Sequence, residues 1–393
     1  MIYVGIDIAK DMHDCVIINE EGEILVDYFS FSNHMDGFNL LFKKLTSTTN
    51  DFENIKIGLE ATGHYSYNIL GFLTEKGFAT YVLNPLHTNL YRKGISLRKT
   101  KTDKVDAHTI ALMIMSKQFL KSYSDKSYHN ENLKSLTRYR FELVAQRAKL
   151  KTSIARLVNI LFPELETLVS TLHGKAIYML LNEYPNAASI ANVHLTKLTN
   201  LLLAASNGRF SKDRAIQIRE AALHSIGSNM TSKSFELKHT ISRIQYLNSL
   251  IIETDSKIKE ALNDLDSNIL SIPGIDHALG AMIIAEIGDM NRFDSPDKIL
   301  AYAGLSPSTY QSGKVESTHA KMEKRGSRYL RYALFNAAKL VCIWDPNFKS
   351  YLSKKRAEGK HYYVAVSHAV KKLVRLIFAL HKSGKVYIPT YLT

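Results

Sequence analysis

Two short apolar runs near the amino terminus each end on an acid: Ile2-Tyr3-Val4-Gly5-Ile6 leads into Asp7, and Ile55-Lys56-Ile57-Gly58-Leu59 leads into Glu60. Acidic side chains are poor strand formers, and α/β folds place their chemistry at the carboxyl ends of strands. A chain with this pattern is therefore constrained to a fold that gathers strand ends. Further on, Thr100-Lys101-Thr102-Asp103-Lys104-Val105-Asp106-Ala107-His108 opens a run, Val105 to Met115, that reads as a helix. Asp103 and Asp106 share a face near the start of that helix. Taken alone, the pair is a cap favoured by the helix dipole. Taken with Asp7 and Glu60, it completes a set of acids able to hold a metal ion.

The elements between these acids follow an order. Ile2 to Ile8, Cys15 to Asn19 and Ile24 to Phe31 read as strands, with Glu20-Glu21-Gly22 as a turn, and so predict a meander. A helix from about Asp36 to Leu45, the strand ending at Glu60, a helix from about Tyr65 to Lys76 and a strand Thr80 to Leu83 stopped by Asn84-Pro85 follow. Antiparallel strands followed by alternating helices and strands is the order of the ribonuclease H-like fold, which serves metal-dependent nucleases and also sugar-kinase and actin-type ATPases. Gly5-Ile6-Asp7-Ile8-Ala9-Lys10 suits either a nuclease strand or a kinase phosphate hairpin. The ATPase reading requires a second glycine-rich hairpin later in the chain. The stretches around Gly274 and Gly304 lack the acid flanked by clustered glycines that it would carry.

Charge points to a polyanion. The 393 residues carry a net charge of +14, and from Lys314 onward 17 Lys and Arg stand against four acids, a local balance of +13. Any one run, such as Lys354-Lys355-Arg356, reads as a solvated helix face, but a whole segment this basic suits nucleic acid. With 45% hydrophobic and 22% charged residues the chain has the composition of a well-cored protein. Cys15 and Cys342 fall in different predicted domains, so no disulfide framework is expected. With no cleavable leader pattern and no apolar run of membrane-spanning length, the expectation is a cytoplasmic protein without a membrane partner.

The period changes after residue 125. Leu136, Leu143, Leu150 and Leu157 recur every seven residues, with Ile154 and Leu161 on the adjoining seam, which Arg140 and Arg147 interrupt. Leu237, Ile244, Ile251, Ile258 and Leu265 repeat the device. Two such helices form either a coiled coil, within one chain or across a dimer, or a pair of bundle core helices. Residues 163–234 between them read as helical with breaks at Pro185-Asn186 and Asn207-Gly208, and carry no recognisable chemistry. Three domains are expected: 1–125 α/β and catalytic, 126–268 helical and oligomerising, 269–393 mainly helical and nucleic-acid binding.

In the last of these, Ile272-Pro273-Gly274-Ile275 followed by an apolar helix, Ala278 to Ile287, fits a helix-hairpin-helix that offers backbone amides to a phosphate, or a plain structural turn. Ala303-Gly304-Leu305 and Gln311-Ser312-Gly313 follow, with Ser312 before a glycine in a flexible loop ahead of Lys321, Lys324, Arg325, Arg328 and Arg331.

This ordered set of motifs, from Gly5-Ile6-Asp7 and Glu60-Ala61-Thr62-Gly63 through Lys101-Thr102-Asp103-Lys104-Val105-Asp106-Ala107 to Gln311-Ser312-Gly313, resembles the DEDD transposases of insertion sequences. That family includes the Piv-type invertases and the bridge-RNA-guided recombinases. The resemblance implies a RuvC-like domain in which Asp7, Glu60, Asp103 and Asp106 hold Mg²⁺, with Mn²⁺ as a substitute. It also implies a C-terminal transposase domain supplying Ser312 as nucleophile, in preference to Ser306, Ser308 or Ser317. It further implies donor and target DNA as substrates, a structured guide RNA, and composite sites in a homodimer or homotetramer. Arg98, Lys99, Lys101, Lys314, Lys321, Lys324, Arg325, Arg328 and Arg331 are the expected nucleic-acid contacts. The competing readings are a junction-resolving nuclease using the acids alone and a binding protein with a dead nuclease fold.

Overall fold

The computed structural model describes residues 1–49, 51–60, 63–95, 102–116, 125–263, 265, 267–306, 311–312, 315–316 and 322–389, with backbone alone at 86, 125–130, 311, 312, 315 and 316. These fall into two compact units, Met1–Glu131 and Asn132–Thr393.

The first unit is built on a mixed five-stranded sheet of order β3-β2-β1-β4-β5: β1 (Ile2–Ile8), β2 (Met12–Ile18), β3 (Ile24–Ser32), β4 (Ile55–Glu60) and β5 (Ala79–Leu83). The meander β1-β2-β3 is antiparallel, whereas β4 and β5 run parallel to β1. The two parallel strands are reached through α1 (Met35–Thr48) and α2 (Ser66–Glu75). These helices cover one face, where Leu41, Leu45, Ile69 and Leu73 pack with Ile6, Ile17 and Ile57.

The other face receives α4 (Asp103–Ser116), whose Ala107 and Ala111 pack on Val16 and Ile18. Close approach there depends on glycine. Gly5 and Gly58 face each other across β1 and β4. A Cβ on Gly5 would lie 2.0 Å from the Ala107 carbonyl oxygen, and one on Gly58 would lie 2.8 Å from Ile114 Cγ2. Gly5 is therefore a mid-strand seat for a helix, which accounts for its place in the motif without a phosphate hairpin. Between β5 and α4 lies α3 (Pro85–Ile95), a helix the sequence reading did not anticipate. Asn84-Pro85 reads as a stop, yet proline also suits the first turn of a helix, where its missing N–H costs nothing.

The second unit is helical. Its long helices α5 (Asp125–Leu161, entering from the first unit) and α11 (Thr231–Asn263) pair antiparallel within the one chain. Arg140 meets Asp255, Arg147 donates to Asn248 Oδ1 at 2.8 Å and Arg156 donates to Glu236 Oε1 at 2.7 Å. The seam-breaking arginines are thus cross-helix partners, while Leu143, Leu247 and Ile251 fill the apolar contact between them. At the far end, α6 (Leu165–Leu168), α7 (Lys175–Glu183), α8 (Ala187–Ala191), α9 (Leu195–Ser206) and α10 (Lys212–Leu223) share a core with Ile154, Leu161, Leu237 and Ile241. Asn186 caps α8 through a capping box, and Asn207 closes α9 in the left-handed conformation, so both expected breaks are helix boundaries.

Because the pair is antiparallel, Leu133 near the start of α5 packs with Ile258 and Leu262 near the end of α11. The excursion of about 55 Å that a helix of α5's length makes is retraced.

The remaining helices are α12 (His277–Ile287), α13 (Pro296–Tyr302), α14 (Arg328–Trp344), α15 (Pro346–Ala357) and α16 (Tyr362–Ser383), packed around Ile283, Leu334, Val341, Val370 and Leu373. Before α12, Gly274 turns at φ +92°, and a Cβ there would lie 2.7 Å from the Leu340 carbonyl carbon. That Pro-Gly turn rests against the backbone of α14. A two-strand ribbon of β6 (Gln311–Ser312) and β7 (Val315–Glu316) precedes α14. Cys15 and Cys342 are free and buried. Among the described residues no helix is long and apolar enough to cross a membrane.

Candidate active site

Strand register places the first two acids side by side. Ile6 and Leu59 are the last partners recorded between β1 and β4, so Asp7 and Glu60 follow at the carboxyl ends of adjacent parallel strands. Residues alternate across a sheet, so Asp7 lies on the face of Gly5, and Glu60 on the face of Gly58, the face on which α4 sits. That helix brings Asp103 and Asp106 in its first turn. The Asp7 carboxyl is pushed up to about 6, first by burial, then by the charges of Asp106, Glu60 and Asp103.

A further acid escaped the sequence reading. Asp14 on β2 is the register partner of Asp7, is buried, and also raises the Asp7 pKa. Its Oδ1 accepts hydrogen bonds from Tyr28 Oη and Ser30 Oγ, both at 2.5 Å. The signal available in the sequence was an acid inside the apolar stretch of a meander strand.

Two residues of α3 also belong to the site. The Thr88 hydroxyl is shared between Glu60 Oε2 at 3.1 Å and the Pro85 carbonyl oxygen at 3.0 Å, and one turn later Arg92 Nη1 donates to Asp106 Oδ1 at 2.8 Å. Arg92 Nη2 is held by Asn89 Oδ1 at 3.1 Å, and Tyr91 Oη docks the helix on the Leu112 carbonyl of α4 at 3.2 Å. Clustered carboxylate oxygens are the donor chemistry that Mg²⁺ or Mn²⁺ takes, so the residues fit such an ion. Their present arrangement is not closed: among the described residues no group of three acids, histidines or cysteines is set to hold a metal. One carboxylate is committed to a guanidinium and another accepts a threonine hydroxyl.

The expected nucleic-acid contacts divide. Lys324, Arg325 and Arg328 are exposed. Arg328 also donates to Tyr329 Oη at 2.8 Å. Arg331 turns inward, donating to the carbonyl oxygens of Ala303 at 2.9 Å and Lys324 at 3.4 Å. Its first role is to fasten the chain around Gly304, where a Cβ would lie 2.7 Å from Arg331 Nη1. Arg98, Lys99, Lys101, Lys314 and Lys321 lie outside the described residues, as do Ser308 and Ser317. Ser312 sits on β6 opposite Val315, a strand position where the sequence suggested a loop.

A buried acid the sequence reading also missed organises this region. Glu286 on α12 is 1% exposed; it accepts from Arg138 Nε at 2.6 Å, from Arg138 Nη2 at 3.1 Å and from Ser327 Oγ at 2.6 Å. Ser327 in turn caps α14, accepting from the Leu330 N–H. One carboxylate thus ties α5, α12 and the start of α14 together.

An α/β unit with strand-end acids and a helical unit rich in lysine and arginine suit a class that works on nucleic acid, and comparison with known proteins narrows it. Residues 4–163 match a family model described as a transposase, and residues 266–353 match that of the transposase IS116/IS110/IS902 family. The chain belongs to that transposase family. It is 24% identical to an uncharacterized 44.8 kDa protein of insertion element IS116 from Streptomyces clavuligerus, over 99% of this chain and 96% of that one. It is 25% identical to an uncharacterized 42 kDa protein of insertion element IS900 from Mycobacterium paratuberculosis, over 100% and 98%. It is 23% identical to the pilin gene-inverting protein of Moraxella bovis, over 98% and 96%.

Proposed function

We propose that this protein breaks and rejoins DNA as the recombinase of a mobile element, with a ribonuclease H-like first unit and a serine-bearing second unit. The observation that carries the reading is the placement of Asp7 and Glu60 at the carboxyl ends of adjacent parallel strands, on the sheet face where the first turn of α4 brings Asp103 and Asp106. Asp7, Glu60, Asp103 and Asp106 would hold Mg²⁺ or Mn²⁺. When bound, such an ion neutralises charge on a phosphoryl group and on its entering and departing oxygens. The Ser312 hydroxyl attacks phosphorus, its oxygen forms the new P–O bond, and its proton departs to solvent or a base. The strand's P–O bond breaks, and the leaving sugar oxygen takes up a proton. Because the phosphodiester is exchanged rather than hydrolysed, its bond energy is retained for rejoining, and no ATP is needed.

Lys324, Arg325 and Arg328 fit backbone phosphates, which fix position without reading sequence. The resemblance assigns that reading to a guide RNA of the element, paired with donor and target DNA. It likewise suggests a homodimer or homotetramer in which acids of one chain meet Ser312 of another. The turn at Gly274 is a weaker phosphate site, since its backbone packs on α14. A cytoplasmic location accords with this work.

The test is trapping. Incubation with Mg²⁺ and element-end DNA should leave a protein–DNA adduct stable to denaturant, absent in Ser312→Ala and in Asp103→Asn. A mixture of these two inactive proteins should regain part of the cleavage. An adduct that persists in Ser312→Ala refutes the nucleophile, and hydrolysis without any adduct favours the junction-resolving nuclease.

A further inference from the structure

The carboxylate of Asp106 is needed by the metal in the reading above, yet it is occupied by Arg92. The side chains are 15% and 27% exposed, the contact is 2.8 Å, and the guanidinium lies where an ion bound to Oδ1 would be repelled. The partner is not a chance surface contact. It sits on α3, one turn after Thr88, whose hydroxyl oxygen lies 3.1 Å from Glu60 Oε2 and 3.0 Å from the Pro85 carbonyl oxygen, so a single helix face lies against two of the four acids. Its other terminal nitrogen rests on the neutral Asn89 amide oxygen, a bond weaker than one to an anion.

We propose that Arg92 is a displaceable internal cation: it neutralises Asp106 in the metal-free protein and releases that carboxylate when its guanidinium moves to a phosphate of the DNA backbone. This inference rests on the metal-site reading of the four acids. The chemistry favours the exchange. Arginine stays charged at all working pH and its planar fork matches a phosphate as well as a carboxylate, so it loses no ion pair when it changes partner. The like charges of a divalent ion and a guanidinium on one oxygen exclude each other. Metal and DNA then bind cooperatively, since each removes the obstacle to the other, and the reciprocity is required by linkage. Arg92 is thus a positioning residue that keeps the acids from closing on metal before substrate arrives.

The experiment measures Mn²⁺ binding by loss of the free-ion electron paramagnetic resonance signal, on the full chain, with and without a short DNA duplex. For the wild type, DNA should tighten Mn²⁺ binding by about fivefold or more. In Arg92→Gln, Mn²⁺ without DNA should already bind about fivefold tighter than in wild type, and DNA should add little. Asn89→Ala, which loosens the guanidinium and leaves every acid in place, should shift affinity the same way by a smaller factor, and so tests the idea even if Arg92→Gln folds poorly. Mn²⁺ affinity that is equal in the wild type and both variants, or a DNA effect that survives in Arg92→Gln, overturns the latch while leaving the metal site standing. Wild-type protein that binds no Mn²⁺ with or without DNA, and does not differ from Asp7→Asn, overturns the metal-site reading and the latch with it.

Discussion

At the scale of single residues, Asp7 is the most informative side chain. Its pKa, raised from 3.8 to about 6, means that the folded metal-free protein takes up a proton near pH 5 that the unfolded chain does not. The stability linked to that proton is complete below about pH 4 and is lost as the pH rises through about 6. Asp7→Asn should therefore stabilise the metal-free protein at pH 8 by about 1–2 kcal/mol, allowing for solvent screening, and leave it unchanged at pH 4. Thermal melts across that range, without added metal, check it. Equal melting temperatures at pH 8 would mean that neither burial nor the neighbouring acids penalise the Asp7 charge. Adding Mg²⁺ should raise the melting temperature of the wild type and not that of Asp7→Asn.

At the scale of elements, the site depends on how close α4 can lie to the sheet. The closeness is set by Gly5 and its neighbour Gly58, on which Ala107, Ile110 and Ile114 rest. In Gly5→Ala the new methyl would meet helix backbone, 2.0 Å from the Ala107 oxygen and 2.6 Å from the Ala111 nitrogen, so α4 must lift or slide. Overpacking of this kind costs about 1–3 kcal/mol. It should also abolish strand cleavage, because Asp106 immediately precedes Ala107. Gly71→Ala in α2 is the control: nothing lies within 4 Å of its added methyl, and helix propensity should give a gain of up to about 1 kcal/mol with cleavage intact. Full cleavage by Gly5→Ala would show that the position of α4 is not what gathers the acids. Similar reasoning explains the seam arginines of α5. Arg140 and Arg147 break a heptad stripe because their partners, Asp255 and Asn248, lie on another helix about 100 residues away.

For the whole molecule, charge and contact assign different work to neighbouring basic residues. The excess of +13 from Lys314 onward should give nucleic-acid binding that weakens steeply with salt. Lys324→Ala and Arg325→Ala should each lower the slope of log affinity against log salt by up to about 0.9 on duplex, alike for unrelated sequences. Arg331→Ala should instead lower the melting temperature, since its guanidinium holds the Ala303 and Lys324 carbonyls. Titrations at several salt concentrations beside a thermal melt separate the two effects. Unchanged slopes for Lys324→Ala and Arg325→Ala would mark their charge as merely solvated.

The sequence by itself determined the strand-ending acids, the order of strands in the first unit, the two long helices and the basic carboxyl-terminal segment. Each is written in a local signal: an acid closing an apolar run, a period of two or seven, or a run of one charge. Tertiary structure alone decided which side chains those acids meet. Asp14 enters through strand register, Thr88 and Arg92 through a helix concealed behind a proline, and Glu286 through contacts to Arg138 and Ser327 from other elements. It also decided that the two long helices pair with each other and return the chain to its starting end. A heptad specifies that a helix has an apolar seam, but the identity of the partner depends on which chain segment the loops and capping helices deliver to that seam.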